Sequence, residues 1–383
     1  MSGEPTAGDS CRLTSDESWQ ALFGLRVLHV KEEHDAQVLE RRIDGLPTRD
    51  GNGIPNHRVS LNTTKKNHYN PCFWTAHWND AYYQEALSPS SKPLKARSQR
   101  VHVLSVRSGG CFEQTIENVH YDKLAARAEI TREAAEEFAR RYHPEKYERF
   151  LHENVTAPYP LYIDFENVFT ALEGSPAYTT LLRVIRRQEV TSAEEKAWLA
   201  CFVVFQLLRS HAMMNSMVEF HEQVGRPKFE HLVTLKWLLS DEEAMSAAMN
   251  RLVHAYWTLY VAPEPAFPLC DTPVLVSPTS TMVPLSPTLL LEILPRVPAS
   301  QRQCRLDDHV PSRKSDEFRR RTIGNTFREI IFGSRPLLEE WRVSREFRDR
   351  VGQMKNAKSY DRLVAARGDQ ELWLVNAYGN QNP

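Results

Sequence analysis

The chain has 383 residues, of which 41% are hydrophobic and 25% are charged, and these values exclude a wholly disordered protein. Its 48 basic and 49 acidic residues give a net charge of -1, so no overall field attracts nucleic acid or an anionic membrane. The length is sufficient for more than one hydrophobic core.

Cysteine usage and the apolar runs indicate the compartment. The six cysteines are scattered, and no two of them have the two-residue spacing of a zinc ribbon or a thioredoxin-like site. The opening MSGEPTAGDS has no basic segment and no apolar core, so we expect no secretory signal. The most apolar run, 197–208, is much shorter than the roughly 20 residues of a membrane span. We therefore predict a soluble, cytoplasmic protein with reduced thiols and no membrane partner.

The N-terminal 60 residues predict a helical extension with a disordered start. SDESWQALFGLRVLHV and AQVLERRIDGL place apolar residues loosely at helical spacing. PTRDGNGIPNH then ends this pattern with two prolines and two glycines. We predict a boundary there, a core domain over 61–340, and a C-terminal helix and tail over 341–383.

Strand signals follow in two places. In RVHVLSVRSGGCFEQTIENVHYD, Val101 and Val103 precede Ser108, Gly109 and Gly110, which predicts a β-hairpin. Further short strands are predicted around Leu259 and Val274, on either side of a proline-rich loop. The polar stretch 296–318 predicts a surface loop.

Helix signals fill much of the remaining chain. Ser192 and Glu195 have capping-box spacing before a long apolar segment, KAWLACFVVFQLLR. Ser240 and Glu243 form a second box. RRRTIGNTFREIIFGS and PLLEEWRVSREFRDRV also predict helices. Together these elements predict an α+β fold, with a mainly helical body packed on a small antiparallel sheet.

Several motifs, taken in order, resemble those of a bacterial family, domain-of-unknown-function family DUF4238. They are HYNPCF, IDFENVFTAL, the helix ending in FQLLRS, CDTPVLV with PLSP, and IGNTFREIIFGS. The family opens with histidine, an aromatic residue, a variable position and proline, and later carries aspartate, a variable position, proline and valine, then an asparagine in a late helix. The resemblance covers roughly 65–335, and places His68, Asp271 and Asn325 at family positions.

The chain departs from that pattern in two places. Threonine and proline more commonly follow the arginine where this sequence has RSHAMMN, and the connection between DTPV and PLSP is short. The resemblance implies a set of positions, but the family name carries no activity.

The segment NHYNPCFWTAHWND contains metal-capable side chains. His68, Cys72 and His77 offer imidazole and thiolate ligands, although their spacing matches no established zinc motif. The alternative is that Pro71 sets a turn, the aromatic rings pack, and the histidines bond to the backbone. We favour packing for most of this segment, with His68 as the candidate that faces a cleft.

Asp271 and Arg209 are charged residues in apolar surroundings. Asp271 lies in PLCDTPVLV and must be paired, hydrogen-bonded or placed in a cleft. One alternative is that it is a metal ligand or a general base. The other is that its side chain bonds to the nearby backbone and shapes a local turn. Arg209 follows FQLL and needs a carboxylate, a phosphate or the carbonyls at a helix end. Asp271, Asp164 and Glu166 are its candidate carboxylate partners.

Two further polar sites keep alternatives open. On a strand, Asp164 and Glu166 would share a face and could bind a metal, whereas at a helix start they would form an acidic first turn, which we favour. Asn325 could reach a polar cluster, or cap its helix after Gly324.

Two functional hypotheses follow. The first is a metal-dependent hydrolase or nuclease-like effector, with His68, Asp271, Arg209 and Asn325 as the catalytic cluster. The second is a non-catalytic binding or regulatory protein whose polar cluster is structural. The sequence has no phosphate-binding loop, dinucleotide fingerprint, HExxH motif or nucleophile elbow. It identifies no cofactor, metal or partner, although the basic patch 319–321 leaves nucleic acid open.

Overall fold

The computed structural model describes ten parts of the chain, all within the unit Thr63–Pro383, one of two units into which the chain divides. The described residues are 66–88, 94–123, 127–130, 133, 140, 161–164, 175–214, 242–294, 304–307 and 310–356. They form helices together with largely antiparallel sheets, which confirms the predicted α+β class.

The described strands and helices follow one another along this unit. The strands are β1 Lys66–His68, β2 Arg100–Ser105, β3 Cys111–Thr115, β4 Tyr121–Lys123, β5 Arg127–Ile130, β6 Leu161–Asp164, β7 Tyr256–Val261, β8 Leu269–Cys270, β9 Leu275–Val276, β10 Thr281–Ser286, β11 Leu289–Leu294, β12 Cys304–Asp307 and β13 Glu329–Phe332. The helices are α1 Cys72–Thr75, α2 Asp80–Leu87, α3 Pro176–Arg187, α4 Ala193–Arg209, α5 Glu242–Val253, α6 Ser312–Asn325, α7 Arg335–Val343 and α8 Arg345–Asn356.

Two sheets carry most of the strand pairing. The five-stranded sheet has the order β12-β7-β11-β10-β9, and only its β12–β7 pair is parallel. The four-stranded sheet has the order β3-β2-β13-β8 and is antiparallel. We expected the hairpin and the strands near Leu259 and Val274 in one sheet. Instead β7 and β9 lie in the larger sheet, and the chain changes sheets between Cys270 and Leu275.

The predicted hairpin is formed by β2 and β3. Val103 pairs with Phe112, and the turn closes with Ser105 N–H donating to Gly110 O at 2.9 Å. Gly109 has φ of 74°, in the left-handed region that glycine adopts without strain. The two glycines therefore set the bulged turn that joins the strands.

Two segments differ from their predictions. β12 lies within 296–318, where we expected a surface loop, because Cys304–Asp307 pairs with the buried strand β7. β13 lies within a predicted helix, because Ile330, Ile331 and Phe332 are fully buried between β2 and β8. Short apolar runs do not distinguish a buried strand from a helix.

Helix α4 lies at the centre of the helical part. Every residue from Glu195 to Arg209 is buried, as its all-round apolar composition predicts. Ser192 Oγ accepts the Glu195 N–H at 3.1 Å, which confirms the cap. The buried amine of Lys196 donates to Ala255 O at 2.7 Å and lies over the Trp257 ring, which connects α4 to the five-stranded sheet.

Some predicted elements cannot be compared with the structure. Ser240, the first residue of the second predicted capping box, lies outside the described residues. Within the described ranges, no helix is both long and apolar enough to cross a membrane. Cys72, Cys111, Cys201 and Cys270 are free.

We expect Ser192→Ala to lower the free energy of unfolding by about 1 kcal/mol, because it leaves a helix N-terminal N–H without its acceptor. Urea denaturation measures the loss. Ser315→Ala, at an exposed position inside α6, is the control and should change stability little. Equal losses in the two variants would contradict the capping role.

Candidate functional site

Asn70 is the centre of a buried polar network. Its side chain is fully buried, and Nδ2 donates to Cys270 O at 2.8 Å and to His120 Nδ1 at 2.7 Å. Its Oδ1 accepts from Gln206 Nε2 at 2.9 Å, and Gln206 also donates to Tyr69 O at 2.7 Å. Burial of an amide is tolerated only when such bonds replace water. Asn70 thus joins α4, β8 and the β4 region.

His120 continues the network towards β13. Its Nε2 donates to Glu329 O at 3.1 Å, and because Nδ1 accepts from Asn70, the ring is neutral with its proton on Nε2. Burial lowers the pKa of His120 to about 3; nearby His68 and Arg328 also lower it, while the bond to Glu329 opposes the shift. The residue has φ of 48°, so its backbone is held in a conformation that side chains rarely adopt.

His68 and Arg209 are in direct contact. Arg209 Nε donates to His68 O at 2.6 Å, and His68 Nε2 donates to Glu117 O at 3.2 Å. Both residues are buried. Arg209 is the last residue of α4, which is the place predicted for it. Its bond to His68 O goes to a carbonyl outside α4.

Asp271 binds the main chain of a distant segment. It is fully buried, Oδ2 accepts the Arg328 N–H at 2.7 Å, and Oδ1 accepts the Phe327 N–H at 3.1 Å. Its carbonyl accepts from His211 N at 3.3 Å. The carboxylate therefore makes long-range, charge-assisted bonds, and these are different from the local turn that we weighed as the structural alternative.

The segment Thr326–Arg328, here called the α6–β13 connection, is bound from several sides. Arg350 on α8 donates to Thr326 O at 2.8 Å from Nη2 and lies over the Phe327 ring. The His211 ring packs on the same Phe327 ring, with centroids 5.3 Å apart. Arg328 Nη1 donates to Tyr121 O at 2.8 Å. These contacts hold the connection in place together with Asp271.

Asn325 is the last residue of α6 and is half-buried. Its Nδ2 donates to Arg321 O at 2.8 Å, one turn earlier in the same helix. This bond satisfies a carbonyl at the helix end. The capping alternative that we left open matches this contact.

The four sequence candidates therefore occupy neighbouring parts of one network. His68 and Arg209 touch, Asp271 follows Cys270, whose carbonyl is bound by Asn70, and Asn325 precedes the connection that Asp271 holds. Sequence reasoning missed three of its members, Asn70, His120 and Gln206. Gln206 did give a signal, since it interrupts an otherwise apolar helix.

The proposed metal ligands near His68 have separate environments. His77 is fully buried, its Nδ1 donates to Trp74 O at 3.0 Å, and its Nε2 has no hydrogen-bond partner. Burial lowers the pKa of His77 to about 4. In the part of the chain that the structure describes, no three His, Cys, Asp or Glu side chains are grouped to hold a metal. The indole N–H groups of Trp74 and Trp78 bond to Leu285 O and Phe267 O, as packing requires.

The acidic pair predicted near residue 164 is only partly described. Asp164 is the last residue of β6, whereas we favoured a helix start there. Leu161–Asp164 pairs with Arg127–Ile130, so the strand alternative is correct at this position. Glu166 lies outside the described residues.

The chain matches one known protein family. The profile of a family described as "Protein of unknown function (DUF4238)" matches residues 145–336, just over half of the 383 residues. The chain belongs to the DUF4238 family. The matched range contains three of the four candidates, and His68 precedes it. No curated protein and no solved structure matches the chain.

For this DUF4238 protein we expect His120→Gln to weaken the dependence of stability on pH. Above pH 6.5 His120 is neutral in both states, but as pH falls the unfolded chain binds a proton that the folded chain refuses until about pH 3. Stability is then lost at about 1.4 kcal/mol per pH unit for each such group. Urea unfolding at pH 7, 6 and 5 should show this slope reduced by about one proton in the variant. An unchanged slope would contradict the assigned neutral state.

Proposed function

We propose that this protein is a non-catalytic binding or regulatory protein, and that its buried polar network is structural. The observation that carries this proposal is Asp271, whose two carboxylate oxygens are both bound to main-chain N–H groups. A general base or metal ligand must present a lone pair to its substrate or ion. Asp271 instead uses its carboxylate to hold the α6–β13 connection.

The other members of the network support the same reading. His68, Arg209, Asn325 and His120 each bond through a side-chain nitrogen to a backbone carbonyl. Such bonds fix the path of the chain where sheets and helices meet. Side chains used in this way keep neighbouring segments in register, and their loss leaves buried carbonyls unpaired.

We expect Asp271→Ala to lower the free energy of unfolding by about 3 kcal/mol, because two buried N–H groups lose their acceptor. Asp271→Asn, which keeps one carbonyl acceptor, should lose less. Thermal and urea denaturation measure both variants.

The matched control for Asp271 is Asp316→Ala. Asp316 lies on α6 with its side chain 57% exposed, paired with Arg319 at 3.1 Å, and exposed ion pairs contribute little to stability. Its removal should change stability by less than about 0.5 kcal/mol. Catalytic residues are often replaced at no cost in stability, or with a gain. A folded Asp271→Ala protein with unchanged stability would therefore overturn the structural role.

A second candidate function, the metal-dependent hydrolase or nuclease-like effector, is favoured by Glu329. Burial and the nearby Asp271 carboxylate raise the pKa of Glu329 above its ordinary value, against the opposing effects of His120, Arg328 and Arg107. A raised pKa brings a carboxyl group closer to the range in which a general acid works. Glu329 is therefore the acid–base candidate of this alternative beside Asp271.

A cation screen separates the two functions. Under the structural proposal, Mg²⁺, Mn²⁺ and Zn²⁺ should leave the melting temperature of the wild-type protein unchanged, because Asp271 is fully buried and both of its carboxylate oxygens already accept main-chain N–H groups. A ligand at 100 times its Kd stabilises a protein by about 2.7 kcal/mol, which a thermal-shift assay detects. A rise in the wild type that disappears in Asp271→Asn and Glu329→Gln would favour the hydrolase.

A further inference from the structure

Three buried hydroxyl groups have no hydrogen-bond partner in the part of the chain that the structure describes. They are Thr272 Oγ1, Ser280 Oγ and Thr322 Oγ1, and each of these residues is at most 2% exposed. Burial of a hydroxyl without a partner costs free energy, so such groups are rare in folded proteins. Three of them beside one helix therefore need a physical explanation.

Thr322 lies on the buried face of α6, close to the end of the helix. Phe318 and Thr322 are both buried and are four residues apart, so they share the helix face that packs on the sheets. Phe318 belongs to one hydrophobic cluster with Cys270 of β8 and Leu275 of β9, and α6 contacts both of these strands. The Thr322 hydroxyl therefore lies in the interface between α6 and the β8–β9 segment.

The other two hydroxyls lie on either side of β9, and each is close to a contact with the end of α6. Thr272 lies between β8 and β9, and Ser280 directly precedes β10. Arg321 Nη1 donates to Ser280 O at 3.1 Å. Asp271, which precedes Thr272, accepts two of the N–H groups that follow α6. All three hydroxyls therefore border the last turns of α6.

Water is the partner that suits these groups. None of the three hydroxyls is within hydrogen-bond distance of another, so a molecule between them is needed to pair them. Buried water molecules typically make about three hydrogen bonds to polar groups that otherwise have none. A hydroxyl both donates and accepts, so it can bind water in either orientation. Neutral hydroxyls bring no charge to balance an ion, which favours a neutral molecule.

We propose that water bound between α6 and the β8–β9 segment pairs the hydroxyls of Thr272, Ser280 and Thr322, and that this interface is an internal hydration site. The segment that carries Asp271 is then held to α6 through water as well as through its own carboxylate. The inference does not depend on whether the buried network is structural or catalytic.

The isosteric variant Thr322→Val tests whether this hydroxyl is paired. If water pairs it, the variant should raise the equilibrium constant of unfolding about tenfold, because the bound water loses a partner and stays buried. Urea denaturation measures the constant. Thr179→Val, at an exposed position of α3, is the matched control and should change the constant by less than about threefold.

The opposite result for Thr322→Val overturns the proposal. If the hydroxyl has no partner, valine should leave the unfolding constant unchanged or lower it, because the variant removes an unpaired polar group from the interior.

Double-mutant cycles test whether the hydroxyls share their water. Thr322→Val is combined with Thr272→Val in one cycle and with Ser280→Ala in the other. In each cycle the double variant should lose less stability than the sum of the two separate losses, because the first substitution already removes the shared water contact. Additive losses in either cycle overturn the proposal.

A count of buried waters keeps the test independent of stability. Magnetic relaxation dispersion of the solvent counts water molecules that stay inside the protein for longer than its tumbling time. Thr322→Val should hold at least one fewer such water than the wild type, whereas Thr322→Ser, which keeps the hydroxyl, should retain the count. An equal count in Thr322→Val and the wild type overturns the proposal.

Discussion

The carboxylate of Asp271 holds two chain connections together, and the arrangement of the sheets depends on it. Asp271 follows β8 directly, where the chain leaves the four-stranded sheet for the five-stranded one. Its oxygens bind the N–H groups of Phe327 and Arg328, immediately before β13 enters beside β8. A charged acceptor is roughly twice as strong as a neutral one, so a single side chain fixes both the departure of one strand and the arrival of its neighbour.

The rest of the network follows from the cost of burying polar groups. Once β1, β4 and α4 pack around this junction, the carbonyls of Tyr69, Cys270 and Glu329 are removed from water and need donors. Gln206, Asn70 and His120 supply them. A neutral imidazole suits this role, because burial opposes the charged form. The need to pair buried carbonyls therefore explains why these positions hold Gln206, Asn70 and His120, and no substrate is required for that explanation.

The sequence predicted those parts of the fold whose causes are local. The hairpin turn depends on Gly109, the α4 cap depends on Ser192, and the burial of α4 depends on its composition, so each could be read directly. The strand β13 could not be predicted in this way. Its four residues, the last four of REIIF, fit a helix as well as a strand until β2 and β8 are placed beside them. His68 and Arg209 were predicted as neighbours in one cluster and do touch. The role of Asn70 and His120 depends on contacts across 50 residues, which no local pattern reveals.

The pairing of β2 with β13 has a consequence for how the chain folds. It joins Val103 to Ile331, so the central ladder of the four-stranded sheet forms only after β13, which lies far along the chain from β2, has been synthesised. Contacts of such sequence separation fold slowly, because a long loop must be closed before they are gained. During synthesis the edge of β2 that later pairs with β13 therefore has no partner from that strand until β13 is available.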